Sequence, residues 1–134
     1  MPEHPNVKKV RAAYEAFANL DVATALKDLA PDGVFHFNGV GPLRGDHKGV
    51  EDVTAVLIST FEVTGGTQKL DISGIYADDL HAVVNIHETA SRPDGATLDV
   101  NEVHLLSFDD EGRITDFWDL PDDPDSHDRF FDGL

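Results

Sequence analysis

HAVVNIHETASRPDGATLDVNEVHLLSFDDEGRITDFWD, residues 81–119, decides how this chain folds. It reads as three successive β-strands, turned back at Pro93-Asp94-Gly95 and at Asp109-Asp110-Glu111-Gly112, both of which have the Asp/Gly chemistry of hairpins. A two-residue loop at Asp94-Gly95 predicts His87 opposite Glu102 and Asn85 opposite His104. A four-residue second loop predicts His104 opposite Phe117 and Glu102 opposite Asp119; a two-residue one moves the partners by two and keeps the faces. One sheet face is then expected to carry Asn85, His87, Glu102, His104, Phe117 and Asp119, and the other Val84, Ile86, Val103, Leu105 and Trp118. Alternation leaves two readings open. The polar set is either the solvated outer face of an antiparallel sheet or the polar floor of an apolar cavity.

Size and composition narrow the choices. The 134 residues suit one domain, residues 1–134, that ends in an acidic C-terminal tail over residues 121–134. There is no cysteine, which excludes disulfides and thiolate chemistry. The 26 acidic residues against 10 basic ones give a net charge of −16, which repels phosphate backbones and anionic lipid and argues against nucleic-acid or membrane partners. No apolar run approaches a transmembrane length and MPEHPN lacks a signal-peptide core, so a soluble, cytoplasmic protein is expected.

Along the chain, Asn6 is expected to cap a helix with Val7, Val10, Tyr14 and Phe17 on one stripe. Asp21 caps a second, short helix that Pro31 stops. VFHFN (residues 34–38) reads as the first strand. The Gly/Pro stretch 39–45 reads as a loop, too short for a dinucleotide site. A third helix is expected from about His47 to Thr64, ended by Gly65-Gly66, and a further strand from Gln68 to Ala77. Three singly striped helices must share one face of the sheet, which makes a two-layer α+β domain. The aliphatic side with Val103, Leu105 and Trp118 is too apolar to stay fully wet and predicts a sheet-to-sheet homodimer.

RAAYEAFANLD, LAPDGVFHFNGVGPLRG, HKGVEDV and FDDEGRITDFWD, in this order and spacing, resemble the nuclear-transport-factor-2-like superfamily over nearly the whole chain, especially its SnoaL-like polyketide-cyclase and ketosteroid-isomerase branch. The resemblance implies an α+β fold in which a cone-shaped, curved antiparallel sheet wraps around three helices of the N-terminal half and encloses a single internal pocket. It also implies that the concave face, with the polar set, points inward. His104 falls where an isomerase has its oxyanion-holding carboxylic acid, and Tyr14 where those enzymes keep an oxyanion-hole tyrosine. Phe37 occupies the place of the catalytic Asp, so the ketosteroid proton shuttle does not carry over in its usual form. SnoaL-type cyclases look to a His/Asp pair on the last two strands, and His104 with Asp119 has nearly that spacing. Limonene-epoxide-hydrolase-like enzymes use Asp, Arg and Asp. Asp119 matches one of these, while His87 and Asn85 stand at the other two positions. The superfamily hosts isomerases, cyclases, dehydratases, epoxide hydrolases and non-enzymes, so fold alone does not fix activity.

The implied site has Asp119, His104, Tyr14 and His87 as its catalytic set. Phe17, Phe35, Phe37, Leu57, Phe61, Asn85, Glu102 and Phe117 would bind a small apolar carbonyl or polyketide-like compound, with Leu70 and Ile72 completing the walls. Asp119 paired with His104 would move a proton on a carbon acid, and His87 or Tyr14 would hold the enolate oxygen. No cofactor or metal is implied; His87, His104 and Glu102 are the one alternative set with metal-ligand character. Each residue also has a structural reading: Tyr14 as a core tyrosine, His104 and Asp119 as a buried pair, Glu102 as the partner of His87. The competing class is a non-catalytic ligand-binding or dimerisation module. His36 reads as a surface or interface residue, His47 as a helix start or cavity mouth, and His4, His81 and His127 as solvated. Phe130-Phe131 in the tail reads equally as a cover over the cavity or as a frayed end.

Overall fold

The computed structural model describes residues 3–37 and 43–132. Helix α1 (Pro5–Ala18) starts on a proline that pre-sets the first turn, and His4, one residue before Pro5, supplies the side-chain cap by accepting from the Asn6 amide. Asp21 caps the four-residue helix α2 (Val22–Ala25) by accepting from the Thr24 amide. Strand β1 (Leu29–Phe37) is longer than VFHFN suggests; Asn38 and most of the Gly/Pro loop lie outside the described residues. The stretch that begins at His47 is divided: strand β2 (Gly45–Lys48) pairs with β1, and helix α3 runs Gly49–Thr64. Then come β3 (Lys69–Ala77), β4 (His81–Ser91), β5 (Thr97–Phe108) and β6 (Ile114–Pro121).

The six strands form one curved, unclosed sheet in the order β2-β1-β6-β5-β4-β3, with β1 parallel to β6 and the other neighbours antiparallel. Helix α1 lies against β3 and β4, and α3 against β1 and β2. Val10, Val53 and Val84, all but inaccessible, fix the contact between these layers. Burying each is worth about 1.5–3 kcal/mol. No helix among the described residues is long and apolar enough to cross a membrane.

Two registers differ from the sequence-based pairing, with unequal consequences. The first turn holds three residues, not two: the Arg92 amide donates to Ala96 O (2.8 Å) and the Gly95 amide to Arg92 O (2.9 Å). Pro93 leads a tight turn, and Gly95 at φ +93° takes the left-handed position that follows it. The extra residue slides β4 by one, so Val84 faces His104, Ile86 faces Glu102 and His87 faces Asn101. A one-residue slide exchanges faces. Val84, Ile86 and Glu88 therefore point to the helices, while Asn85 and His87 point outward, where His87 meets Asp99 (2.6 Å). At the second turn His104 pairs with Asp119 and Leu106 with Phe117, a shift of two that keeps Glu102, His104, Phe117 and Asp119 together.

The C-terminal stretch is a fourth helix, α4 (Pro124–Asp132), laid on β5 and β6. Asp123 caps it through the Ser126 amide, and Arg92 donates to Phe130 O near its end while sitting over the Phe130 ring. Phe130 and Phe131 are buried, and so is His127, which corrects its reading as a solvated residue.

On the outer face His36 bridges Asp46 of β2 (Nδ1, 2.8 Å) and Asp116 of β6 (Nε2, 2.8 Å) and stacks on Trp118. Burial disfavours its charged form, yet the two carboxylates outweigh this and raise its pKa. A raised folded-state pKa adds stability that is complete below the unfolded value, about 6.5, and is lost as pH climbs through the folded value. The thermal midpoint of wild type should therefore exceed that of His36→Gln most near pH 6, with the gap narrowing toward pH 9. A gap that widens with pH would contradict the pairing.

Candidate active site

Period-two alternation on β5 and β6 brings Glu102, His104 and Asp119 to the helix-facing side, and the slid β4 adds Glu88 beside them. The His104 and Asp119 side chains are 8 % and 9 % exposed and that of Glu102 is 1 % exposed. His104 Nε2 stands 3.4 Å from both Glu102 Oε1 and Asp119 Oδ1. On its other side Nδ1 shares a 2.5 Å hydrogen bond with the Tyr14 hydroxyl, brought in by α1. From α4, His127 Nε2 lies 3.4 Å from Asp119 Oδ2 and 3.6 Å from Glu88 Oε1. Gln68, just before β3, donates to Glu88 Oε2 (2.5 Å).

Three carboxyl groups thus face two imidazoles in a nearly dry space. Burial pushes Glu102 up to about 9, so it is the carboxyl that holds a proton. Asp119 also feels burial, but His104, Glu102 and His127 overcome it and keep Asp119 below the usual carboxylate range. Burial opposes charge on His104 as well; Tyr14, Asp119 and Glu102 prevail and hold it well above an ordinary histidine. His127 is raised in the same way, by Glu88, Asp119 and Asp128 against burial. A neutral Glu102 lowers the like-charge repulsion in the cluster and leaves Asp119 as the carboxylate that faces both raised imidazoles. Burial raises the Tyr14 phenol, so it keeps its proton. An imidazolium donates from Nδ1 to the Tyr14 oxygen, which frees the tyrosine hydrogen to point elsewhere.

That free direction is an apolar pocket of about 90 Å³, with His104 at its base and Phe17, Phe35, Leu57, Leu70 and Phe117 among its walls. A second pocket, of about 50 Å³, is lined by Glu88, Glu102, His104, Asp119 and His127 together with apolar side chains that include Phe37 and Phe131. A larger hollow, about 530 Å³, is a groove between α1, the end of α3 and β3 that Phe61 and Ile72 help to line. Tyr14, Phe17 and Leu70 belong to both the groove and the 90 Å³ pocket, and are the partition between them. The expected single pocket is therefore divided, and its inner part is smaller than the roughly 150 Å³ that admits benzene.

The structure brings together Tyr14, His104, Asp119, Glu102, Phe17, Phe35, Phe37, Leu57 and Phe117; Phe61 lines the groove. It separates His87 and Asn85 from them for the register reason above, which also breaks up the His87/His104/Glu102 metal set. Trp118 is on the outer face, stacked on His36. Glu88, Gln68 and His127 are the members that sequence reasoning missed. Correct turn counting would have found Glu88. Asp123-Pro124 followed by His127, Phe130 and Phe131 is a capped helix start with an i, i+3, i+4 stripe, and it would have found His127.

A profile of the SnoaL-like domain matches residues 10–117. The uncharacterized protein Rv0034 of Mycobacterium tuberculosis is 27 % identical over 131 residues, covering 98 % of this chain and 99 % of its own. Among solved structures, Bal32a from a soil-derived mobile gene cassette superposes with a TM-score of 0.87 at 30 % identity, over 94 % of this chain and 95 % of that one. TerC, co-crystallised with polyporic acid, superposes with a TM-score of 0.81 at 23 % identity, over 95 % and 98 %.

Removing His127 leaves Glu88 and Asp119 without that imidazole. His127→Phe should cost about 3 kcal/mol, the order seen when one partner of a buried ion pair is deleted. Urea unfolding reads the loss, and hydrogen exchange should show α4 opening first. A variant as stable as wild type would show that the cluster does not need this imidazole.

Proposed function

This chain belongs to the SnoaL-like domain family, and from that premise we propose that it is an acid–base enzyme of the isomerase or cyclase type, acting on a small, mostly apolar carbonyl compound. One observation carries the reading: the Tyr14–His104 pair lines an apolar pocket, with Asp119 at the other ring nitrogen of His104. A carbonyl oxygen at the pocket base would accept from the Tyr14 hydroxyl, which stabilises the developing enolate. The reactive form would have His104 neutral, its Nε2 proton having passed to Asp119; the vacated nitrogen then takes the carbon-bound proton and returns it at the product carbon. Apolar walls exclude water and strengthen both interactions. A ligand larger than the 90 Å³ pocket would need Phe17 or Leu70 to turn aside and join it to the 530 Å³ groove, since these side chains line both. The crystallisation of TerC with polyporic acid supports a small organic ligand for this fold.

Proton exchange in heavy water provides the test, since it needs no knowledge of the product. Wild type incubated with a panel of cyclic ketones and β-dicarbonyls should speed deuterium uptake at the α-carbon, read by proton NMR. Tyr14→Phe should slow it roughly 10²–10³-fold and His104→Gln by roughly 10²–10⁴-fold. The second reading, a non-catalytic binding module, draws on the fact that the 530 Å³ groove is lined by neither His104 nor Asp119. Compounds that shift amide resonances of Phe17 and Phe61 yet exchange no faster than in buffer would establish that reading instead.

The outer sheet face supports a homodimer. Val103, Leu105 and Trp118 form its half-buried middle, and Leu120 beside them is 42 % exposed. Light scattering should give twice the chain mass for wild type and the single mass for Leu105→Glu. An unchanged mass for the variant would move the contact elsewhere.

A further inference from the structure

We propose that Glu88, Glu102 and His127 bind one divalent first-row transition cation of the Mn²⁺ or Zn²⁺ kind. The three residues come from β4, β5 and α4, and one ligand-type atom from each lies within 4.8 Å of the others. Two strand residues make this possible: Ile86 is the direct partner of Glu102, so Glu88 is its diagonal neighbour on the same face. His127 completes the triangle from above, with Nε2 3.6 Å from Glu88 Oε1 and 4.0 Å from Glu102 Oε2. These separations exceed a hydrogen bond. Ligand atoms at about 2.0–2.2 Å from a shared ion stand roughly 2.8–3.8 Å apart at right to trigonal angles. Small side-chain movements of Glu102 close the difference.

A second observation is independent of the clustering. Glu102 Oε2 is buried and receives no hydrogen bond, although its side chain is 1 % exposed. A buried oxygen with no partner is costly in such surroundings, and a cation that takes the place of the Glu102 proton would satisfy it. The surroundings also have the form of a supporting shell. Gln68 Nε2 holds the far oxygen of Glu88 (2.5 Å), which turns Oε1 toward the triangle, and the Phe131 ring packs on His127 with centroids 4.9 Å apart. The pocket between these groups, about 50 Å³, has space for an ion and one water. Two carboxylates and one imidazole make an oxygen-rich, borderline donor set, suited to Mn²⁺ and Zn²⁺ more than to soft ions. Bound there, the ion would clamp α4 to the sheet. It would also leave Glu102 Oε1 facing His104, next to the proton-transfer pair but outside it.

The test uses the whole chain without any substrate, so its outcome is separate from that of the acid–base reading. Protein stripped with a chelator is titrated with Mn²⁺ and with Zn²⁺ by calorimetry. One equivalent per chain is expected, with a thermal midpoint that rises with metal concentration. Glu102→Gln, which keeps size and shape, should weaken binding at least 100-fold, and Gln68→Ala roughly 10–100-fold. His87→Gln on the outer face should leave binding unchanged. Circular dichroism verifies that each variant is folded. Bound Mn²⁺ should show nitrogen coupling in pulsed electron paramagnetic resonance that His127→Gln removes. No saturable binding of either ion by folded wild type, or equal affinity in wild type and Glu102→Gln, overturns the proposal.

Discussion

The turn at Pro93-Asp94-Gly95 fixes more of this molecule than any single contact. It pins the register between β4 and β5, and register decides which side chains meet the helices. Three loop residues turn Val84 and Ile86 into core and bring Glu88 to Glu102. Two would have left those apolar side chains outside and sent His87 in. The turn is held by its own chemistry: Pro93 has no amide to satisfy, Asp94 accepts from the Ala96 amide, and Arg92 pairs with the Asp94 carboxylate. A local choice of backbone thus governs the composition of the interior.

What that interior contains is unusual for a core. Val10, Val53 and Val84 are packed as any two-layer domain requires, yet within the same layer lie three carboxyl groups and two imidazoles. Burying charge is tolerated only when it is paired or neutralised. The arrangement does both, through a protonated Glu102 and through opposed charges around His104 and His127. Such a set is a poor way to hold two layers together, since apolar residues of similar volume do that at lower cost. The cluster fits the acid–base role proposed above better than a purely structural one, with Tyr14 lining an apolar pocket beside it.

Much of this was legible in the sequence, for reasons that separate cleanly. Helix stripes such as Val7, Val10 and Tyr14 depend on period alone and are robust. The grouping of Glu102, His104, Phe117 and Asp119 survived because the second turn and the irregularity at Ser107/Phe108 each shift the register by one, an even total. The grouping of Asn85 and His87 with them failed because the error at the first turn was odd. His127 was hidden for a different reason: acidic neighbours made its segment look solvated, while the signal lay in the spacing from Asp123 to Phe131. The division of the interior into separate hollows depends on where Phe17 and Leu70 turn, which no pattern in the chain specifies.

The parallel pairing of β1 with β6 has a consequence for the order in which the molecule is assembled. From β3 to β6 each strand meets its successor across a short connection, so that meander can zip from its own turns. β1 must find β6 across a far longer stretch; His36 and Asp116, which meet there, are 80 positions apart. Closing so large a loop costs chain entropy before any contact repays it. The first-made strand therefore docks late, after the last strand exists to receive it. With β1 comes Phe35, which stacks on Phe117, so the apolar wall of the pocket is completed only when the two ends of the chain have met.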